Sequence, residues 1–301
     1  MSLLRLFVEH LLPVLLVAGA GYLLASLLDL DGRAFTAVAF HLFAPCLIFQ
    51  TLLESRVPAG MMLLIGAFAA LTMAIPAGEA WAIARLLRWS RTRSSAVVMC
   101  VLFPNVGNYG LSANLLAFGK DALTYASVFF VAASIVFYTV GVLIASLGRA
   151  GVRPALLGLL RVPALWALIA AFLLRALHVP WSGAPERAVS LLAAACIPSF
   201  LVVLGMQLRG ARLRGAAMPM ALATGLRLLG GMAAGLLCAP LMGLTGTARQ
   251  AAVLEAAMPT AVVTGIIAGE YEVEPSLVAS VVLLTTLLSP LTLTPLLWVL
   301  R

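Results

Sequence analysis

Charge is scarce in this chain. Asp, Glu, Lys and Arg make up 10% of its 301 residues, and histidine occurs three times. A soluble domain carries about 25% charged residues to clothe a water-facing surface, so an ordinary soluble fold is excluded. Cys46, Cys100, Cys196 and Cys238 lie in apolar stretches without Cys-x-x-Cys or metal-ligand spacing, and they read as small packing residues. There is no His-Glu-x-x-His pair, Walker-type phosphate loop or Gly-x-Gly-x-x-Gly segment, which removes the sequence basis for a zinc hydrolase or an ATP-driven pump. No metal and no cofactor is expected.

Lys and Arg number 19 against 11 Asp and Glu, for a net charge of +8. They fall between apolar runs, with no basic stripe or interleaved aromatics, so nucleic acid is not an expected partner. What the chain has in abundance is apolar length. Hydrophobic residues make up 63% of it, and the mean hydropathy is +1.11. Stretches 57–78, 94–119, 122–148, 228–248 and 275–300 each hold 21 or more residues without a charge, and a helix crossing the hydrocarbon needs roughly 20. Ten spans fit, at about 6–28, 34–54, 59–84, 95–117, 122–147, 155–177, 187–208, 214–241, 247–269 and 275–300. A barrel strand needs only about 10 alternating residues, so the expectation is an all-α polytopic membrane protein with the lipid bilayer around it. Arg5 and the apolar run after it have the outline of a signal peptide, but the run to Leu28 is long for one. It is read as a retained span.

The basic excess reads as topology. Loops after the odd-numbered spans carry Arg33, then Arg85, Arg88, Arg91 and Arg93, then Arg149, Arg153 and Arg161, then Arg209, Arg212 and Arg214, eleven in all. The other side carries seven: Arg5, Arg56, Lys120, Arg175, Arg187, Arg249 and Arg301. Lys and Arg gather on the cytoplasmic face. The odd loops are therefore expected in the cytoplasm of a plasma (inner) membrane protein, with both termini outside.

Five spans per half predict that the second half enters from the opposite face, and proline spacing supports an inverted repeat. Pro13 matches Pro163 at an offset of 150, Pro45 matches Pro198 at 153, and Pro104 matches Pro259 at 155. Proline inside a helix removes one backbone bond and clashes with the preceding turn. Around Pro104 the segment Phe103-Pro104-Asn105-Val106-Gly107-Asn108-Tyr109-Gly110-Leu111-Ser112 adds two glycines, and span 9 follows with Pro259-Thr260, Thr264 and Gly265. Broken helix at membrane depth survives only inside protein or beside a polar cavity, and paired breaks in two inverted halves point to a transporter binding site.

These residues resemble the auxin efflux carrier family, which includes plant PIN-formed auxin exporters and bacterial malate and malonate carriers. Span 4 is similar to the family's Pro-Asn-x-x-x-Gly-(Leu/Ile)-Pro segment. Met258-Pro259-Thr260-Ala261, Ala268-Gly269-Glu270-Tyr271, Pro275, Pro45 and Pro198 with Leu204-Gly205 also fit, so the resemblance covers essentially the whole chain. Ser112 and Thr264 stand where the resemblance places crossover prolines, which leaves unwinding to Pro104, Gly107, Gly110, Pro259 and Gly265. The resemblance implies a 5+5 fold in two functional units. Spans 1–2 (1–55) and 6–7 (151–210) would form a scaffold able to support a homodimer. Spans 3–5 (56–150) and 8–10 (211–301) would form a mobile transport unit working as an elevator.

Two half-helix N-termini meeting near the midplane would present unpaired N–H groups and partial positive charge, which suits a small organic anion such as a carboxylate. The expected substrate-binding residues are Asn105, Asn108, Ser112, Thr260 and Thr264, with backbone capping of the break as the alternative for Asn108 and Asn114. Intramembrane charge is costly and usually faces the interior. Arg227 is expected to pair with Glu255 or to attract the substrate, and Glu79 to bridge to Arg85 or Arg88. Glu255 and Glu79 are also proton-coupling candidates, with sodium coupling left open. Gln50, Gln207 and His41 read as ordinary helix contacts. The rivals are a channel or sensory receptor on the same fold and, remotely, an intramembrane serine hydrolase built on Gly110-Leu111-Ser112-Ala113. That chemistry needs a histidine beside the serine, whereas His41 and His178 fall near span ends.

Overall fold

The computed structural model describes residues 2–55, 57–145, 160, 162–209, 213 and 215–301. Arg56, Arg149, Arg153, Arg161, Arg212 and Arg214, and the start of the expected sixth span, lie outside the described residues. Eleven helices follow one another among those described: α1 Leu3–Leu28, α2 Arg33–Glu54, α3 Ala59–Leu86, α4 Arg91–Leu102, α5 Val106–Ala145, α6 Pro163–Ala176, α7 Ala184–Leu208, α8 Ala217–Leu241, α9 Gly246–Ala256, α10 Val263–Glu270 and α11 Pro275–Leu300. The protein is all-helical, and its described residues form no strand beyond one isolated bridge.

Seven of these helices, α1, α2, α3, α5, α7, α8 and α11, are long and apolar enough to cross a membrane. The shortfall from ten expected spans has local causes. α6 holds 14 described residues, and the expected spans 4 and 9 are each cut in two at a proline. α5 joins the expected spans 4 and 5 across a kink in the expected loop, just before Lys120-Asp121, so the two count as one helix of 40 residues. The only non-helical backbone there is Gly119, at φ 82° and ψ −167°, a conformation open to glycine because it has no Cβ.

Matched prolines do not have matched effects. Pro198 sits inside a continuous α7. Pro13 and Pro45 are each preceded by a π-helical turn, Phe7–Leu11 in α1 and Ala39–Phe43 in α2, and the helix then continues. The wider turn makes room for a ring that would otherwise press on the carbonyl four residues back. Pro163 opens α6 after an extended Val162, and among the described residues Pro104 and Pro259 are the matched pair that both coincide with full interruptions.

Close packing explains the glycines that matter most. α1 and α7 cross with their backbones in contact: a Cβ on Gly205 would fall on Ala18 O and Tyr22 N, and one on Gly21 would fall on Val202 O. Small residues permit this approach between helices in hydrocarbon. α6 lies against α2, and α2 against α7. A second set holds the rest: α5 packs on α3 and α9, α8 packs on α3, α4, α9 and α11, and α11 packs on α4. Outward-facing side chains include Leu27, Leu63, Leu86, Leu191, Leu241 and Leu291, each at least 63% exposed, a surface that suits lipid and not water.

Candidate functional site

The two interruptions meet. Each proline lacks an N–H and drives the residue before it out of the helical region, and Phe103 is extended at φ −103°, ψ 98°. The unwound segments pair antiparallel, Pro104 opposite Thr260. Asn105 N–H donates to Pro259 O at 2.6 Å, and Ala261 N–H donates to Phe103 O at 2.8 Å. Each break therefore satisfies part of the backbone that the other exposes.

Buried backbone groups must all find partners, and here most can be traced. At the end of α4, Met99 O accepts from Phe103 N–H at 3.2 Å and Cys100 O accepts from the Thr260 hydroxyl at 2.9 Å. Val101 O accepts from the Arg227 guanidinium at 2.5 Å. At the end of α9, Ala256 O accepts from the same guanidinium. Thr260 N–H donates to Thr285 Oγ1 on α11 at 3.1 Å. The exceptions lie at the starts of the second half-helices. The N–H groups of Gly107, Asn108, Val262 and Val263 have no acceptor among the described residues.

All five residues expected to bind substrate are buried around this crossing, and their free valences differ. The Thr260 hydroxyl is committed to Cys100 O. The Ser112 hydroxyl donates to Asn108 O at 3.2 Å, one turn back in its own helix and not to a histidine. Asn105 Nδ2, Asn108 Oδ1 and the Thr264 hydroxyl have no partner among the described residues. A buried polar group left unpaired costs about 1–3 kcal/mol, so three of the five retain unmet hydrogen-bonding capacity.

The expected helix-breaking residues are placed unevenly. Pro104 and Pro259 lie in the breaks. Gly107 and Gly110 lie in a π-helical turn, Val106–Leu111, where they permit close approach: a Cβ on Gly107 would press on Phe130, and one on Gly110 would overlap the Glu255 carboxylate. Gly265 is inside α10, with open space where its Cβ would be.

The intramembrane charges depart from expectation. Arg227 and Glu255, both fully buried, form no ion pair within 4 Å. Glu255 Oε1 instead accepts from Asn114 Nδ2 at 2.9 Å, and the same amide donates to Gly110 O at 3.1 Å. The carboxylate is drawn to the start of α5 because Gly110 leaves space there, while the guanidinium is drawn to two helix ends. Glu79 is exposed and makes no salt bridge to Arg85 or Arg88 among the described residues. The Arg85 guanidinium lies over the Trp81 ring at 5.5 Å, a cation–π contact.

Gln207 has a larger part than the sequence gave reason to assign. Asn108 Nδ2 donates to Gln207 Oε1 at 3.3 Å, and Gln207 Nε2 donates to Thr36 Oγ1 at 3.4 Å. This chain of amides and hydroxyl links the start of α5 to α7 and α2. Phe40, Phe130 and Phe200 stack beside it, with centroids 4.7–6.5 Å apart. A glutamine in an apolar run was visible in the sequence, but its partners on three helices were not. A cavity of about 600 Å³ lies between α3, α4 and α5; Arg85, Trp89 and Arg91 line its outer part, and it reaches Leu102, next to the break.

A buried crossing of two broken helices inside an apolar helical bundle is the architecture of a membrane transporter. A family model described as membrane transport protein matches residues 6–154 and again 149–298, and the chain belongs to this family, that of the auxin efflux carriers. It is an integral membrane protein. A protein of Methanothermobacter thermautotrophicus, described as an uncharacterized transporter, is 25% identical over 287 residues, which cover 93% of this chain and 94% of the relative.

Proposed function

We propose that this transporter is a secondary carrier that moves a small organic anion, a carboxylate, by alternating access of the elevator type. The observation that carries the reading is the buried crossing itself. Four backbone N–H groups without acceptors sit at the starts of two half-helices, beside unpartnered atoms of Asn105, Asn108 and Thr264. Such N–H groups carry partial positive charge and suit an anion.

The remaining architecture follows from the same reading. α4 with the first part of α5 forms one broken span, and α9 with α10 forms the other, which gives ten spans in a 5+5 inverted repeat. The contact of the Arg301 guanidinium with His10 Nε2 at 2.5 Å is in keeping with an even number of crossings. α1, α2, α6 and α7 would form the scaffold (1–55 and 151–210), able to support a homodimer. α3–α5 and α8–α11 would form the moving unit (56–150 and 211–301). The extensive α1–α7 and α2–α6 packing supports this division, and the Asn108–Gln207–Thr36 chain would bridge the two units. Loop arginines favour an inner membrane location with both termini outside the cytoplasm. The driving force would be the membrane potential, a proton or sodium, and no enzymatic step is assigned.

The test is a thermal-shift series of purified protein with mono- and dicarboxylates at several pH values, with and without sodium, followed by liposome flux. Saturable counterflow of a labelled acid, lost in Asn105→Ala while the protein stays folded, is the expected result. Sustained single-channel current would replace the carrier with a pore. Unchanged flux in Asn105→Ala would remove the site.

A further inference from the structure

Both first half-helices, α4 and α9, end at the crossing. A helix C-terminus leaves carbonyls unpartnered and carries about half a negative charge. In interrupted transporter helices these carbonyl ends are the natural seat of a cation. Here the seat is taken by a side chain. Arg227 Nη1 donates to Val101 O at 2.5 Å, and Nη2 donates to Ala256 O. Val101 lies in the last turn of α4, and Ala256 is the last residue of α9.

Three further features accommodate the guanidinium. Arg227 is wholly buried and belongs to a π-helical turn, Leu226–Gly230, within α8. The next residue is Gly231, where a Cβ would overlap the guanidinium and press on Ala256 O. No carboxylate lies within 4 Å among the described residues, and Glu255 turns to Asn114 instead. The charge is therefore met by the ends of two helices and not by a counter-ion. A planar fork with several donors can hold carbonyls from two separate helices at once, and it stays protonated.

Resting on the carrier reading above, we propose that Arg227 is a tethered cation. It fills the carbonyl seat where the two half-helices end, fixes the crossing in its binding geometry, and removes the need for a sodium ion at that position. Arg227 is a positioning residue. It acts on the substrate through the crossing that it holds in register.

The test uses the purified full-length protein and needs no knowledge of the substrate. The midpoint of thermal unfolding is measured in sodium and in choline at equal ionic strength, for the wild type and for Arg227→Lys, Arg227→Met and Arg227→Ala. Wild type is expected to unfold at the same temperature in both salts. Arg227→Met is expected to fall by roughly 5–10 °C and Arg227→Lys by clearly less, because lysine keeps the charge. Arg227→Ala should regain part of its loss in sodium or methylguanidinium, neither of which shifts the wild type. A saturable, sodium-specific rise in the wild type would overturn the proposal, and that arm stands even if a variant cannot be purified. Equal losses in Arg227→Lys and Arg227→Met would overturn it too, reducing Arg227 to a space-filling residue. If these salt responses appear while no carboxylate binds or is transported, the anion reading fails and the tethered cation remains.

Discussion

The backbone N–H of Asn105 reaches the carbonyl of Pro259 across 2.6 Å, although 154 residues separate them in the chain. Proline makes that carbonyl available by ending one helix, and Pro104 frees the amide by ending the other. One bond and its reciprocal, Ala261 N–H to Phe103 O at 2.8 Å, tie the two breaks into a single unit.

The amide of Asn105 is central to the proposed site, and charge offers a sharper probe of it than truncation. Asn105→Asp keeps the size of the side chain but adds a negative charge where an anion is expected. Flux should fall at least about tenfold, equivalent to about 1.4 kcal/mol, and further than in Asn105→Ala. Liposome uptake at several substrate concentrations measures this, and an Asp variant better than the Ala variant would contradict it.

Gln207 tests the link between the two packed sets of helices. Gln207→Ala removes both bonds of the Asn108–Gln207–Thr36 chain, and Thr36→Val removes one. The expected outcome is a raised KM for transport in Gln207→Ala and a smaller rise in Thr36→Val. Unfolding temperatures should stay near wild type, because these bonds are long. A large fall in unfolding temperature with KM unchanged would make the chain structural only.

Gly110 and Glu255 compete for one space. Gly110→Ala places a methyl group on the carboxylate and is expected to destabilise by about 1–3 kcal/mol, the usual cost of overpacking. Combining it with Glu255→Ala should recover part of that loss. Coupling of about 0.5–3 kcal/mol is typical of residues in contact. Unfolding midpoints of the four proteins in the cycle provide the measurement, and strict additivity would show that the two do not touch.

The α1–α7 crossing can be tested in the same way. Gly205→Ala would drive a Cβ into Ala18 O and Tyr22 N, whereas Gly60→Ala meets nothing within 4 Å. The first should lower the unfolding midpoint by several degrees, in line with a loss of about 1–3 kcal/mol. The second should leave it unchanged or slightly raise it, since alanine is the better helix former.

Much of the molecule was legible before any coordinates. Long runs without charge dictate helices in lipid, because hydrocarbon offers no partner for an unpaired backbone group. The Pro104-Asn105 and Pro259-Thr260 pairs marked both interruptions for the same reason, since a missing N–H and a ring clash act within one turn. Offsets between prolines were less informative. Pro45 and Pro198 have the spacing of breakers, yet Pro198 is absorbed within a continuous helix and Pro45 follows a π-turn, because neighbouring packing decides whether a helix recovers beyond the ring.

Sequence by itself determined the all-helical class, the membrane setting and the places where two helices come apart, since each depends on chemistry within a few residues. Only the tertiary structure decided what those places touch. It brought Asn105 to Pro259, gave Glu255 to Asn114 and not to Arg227, set Arg227 on the ends of two helices, and placed Gln207 between Asn108 and Thr36. A buried charge or amide takes whichever partner the packing of distant helices presents, and one-dimensional spacing does not encode that choice.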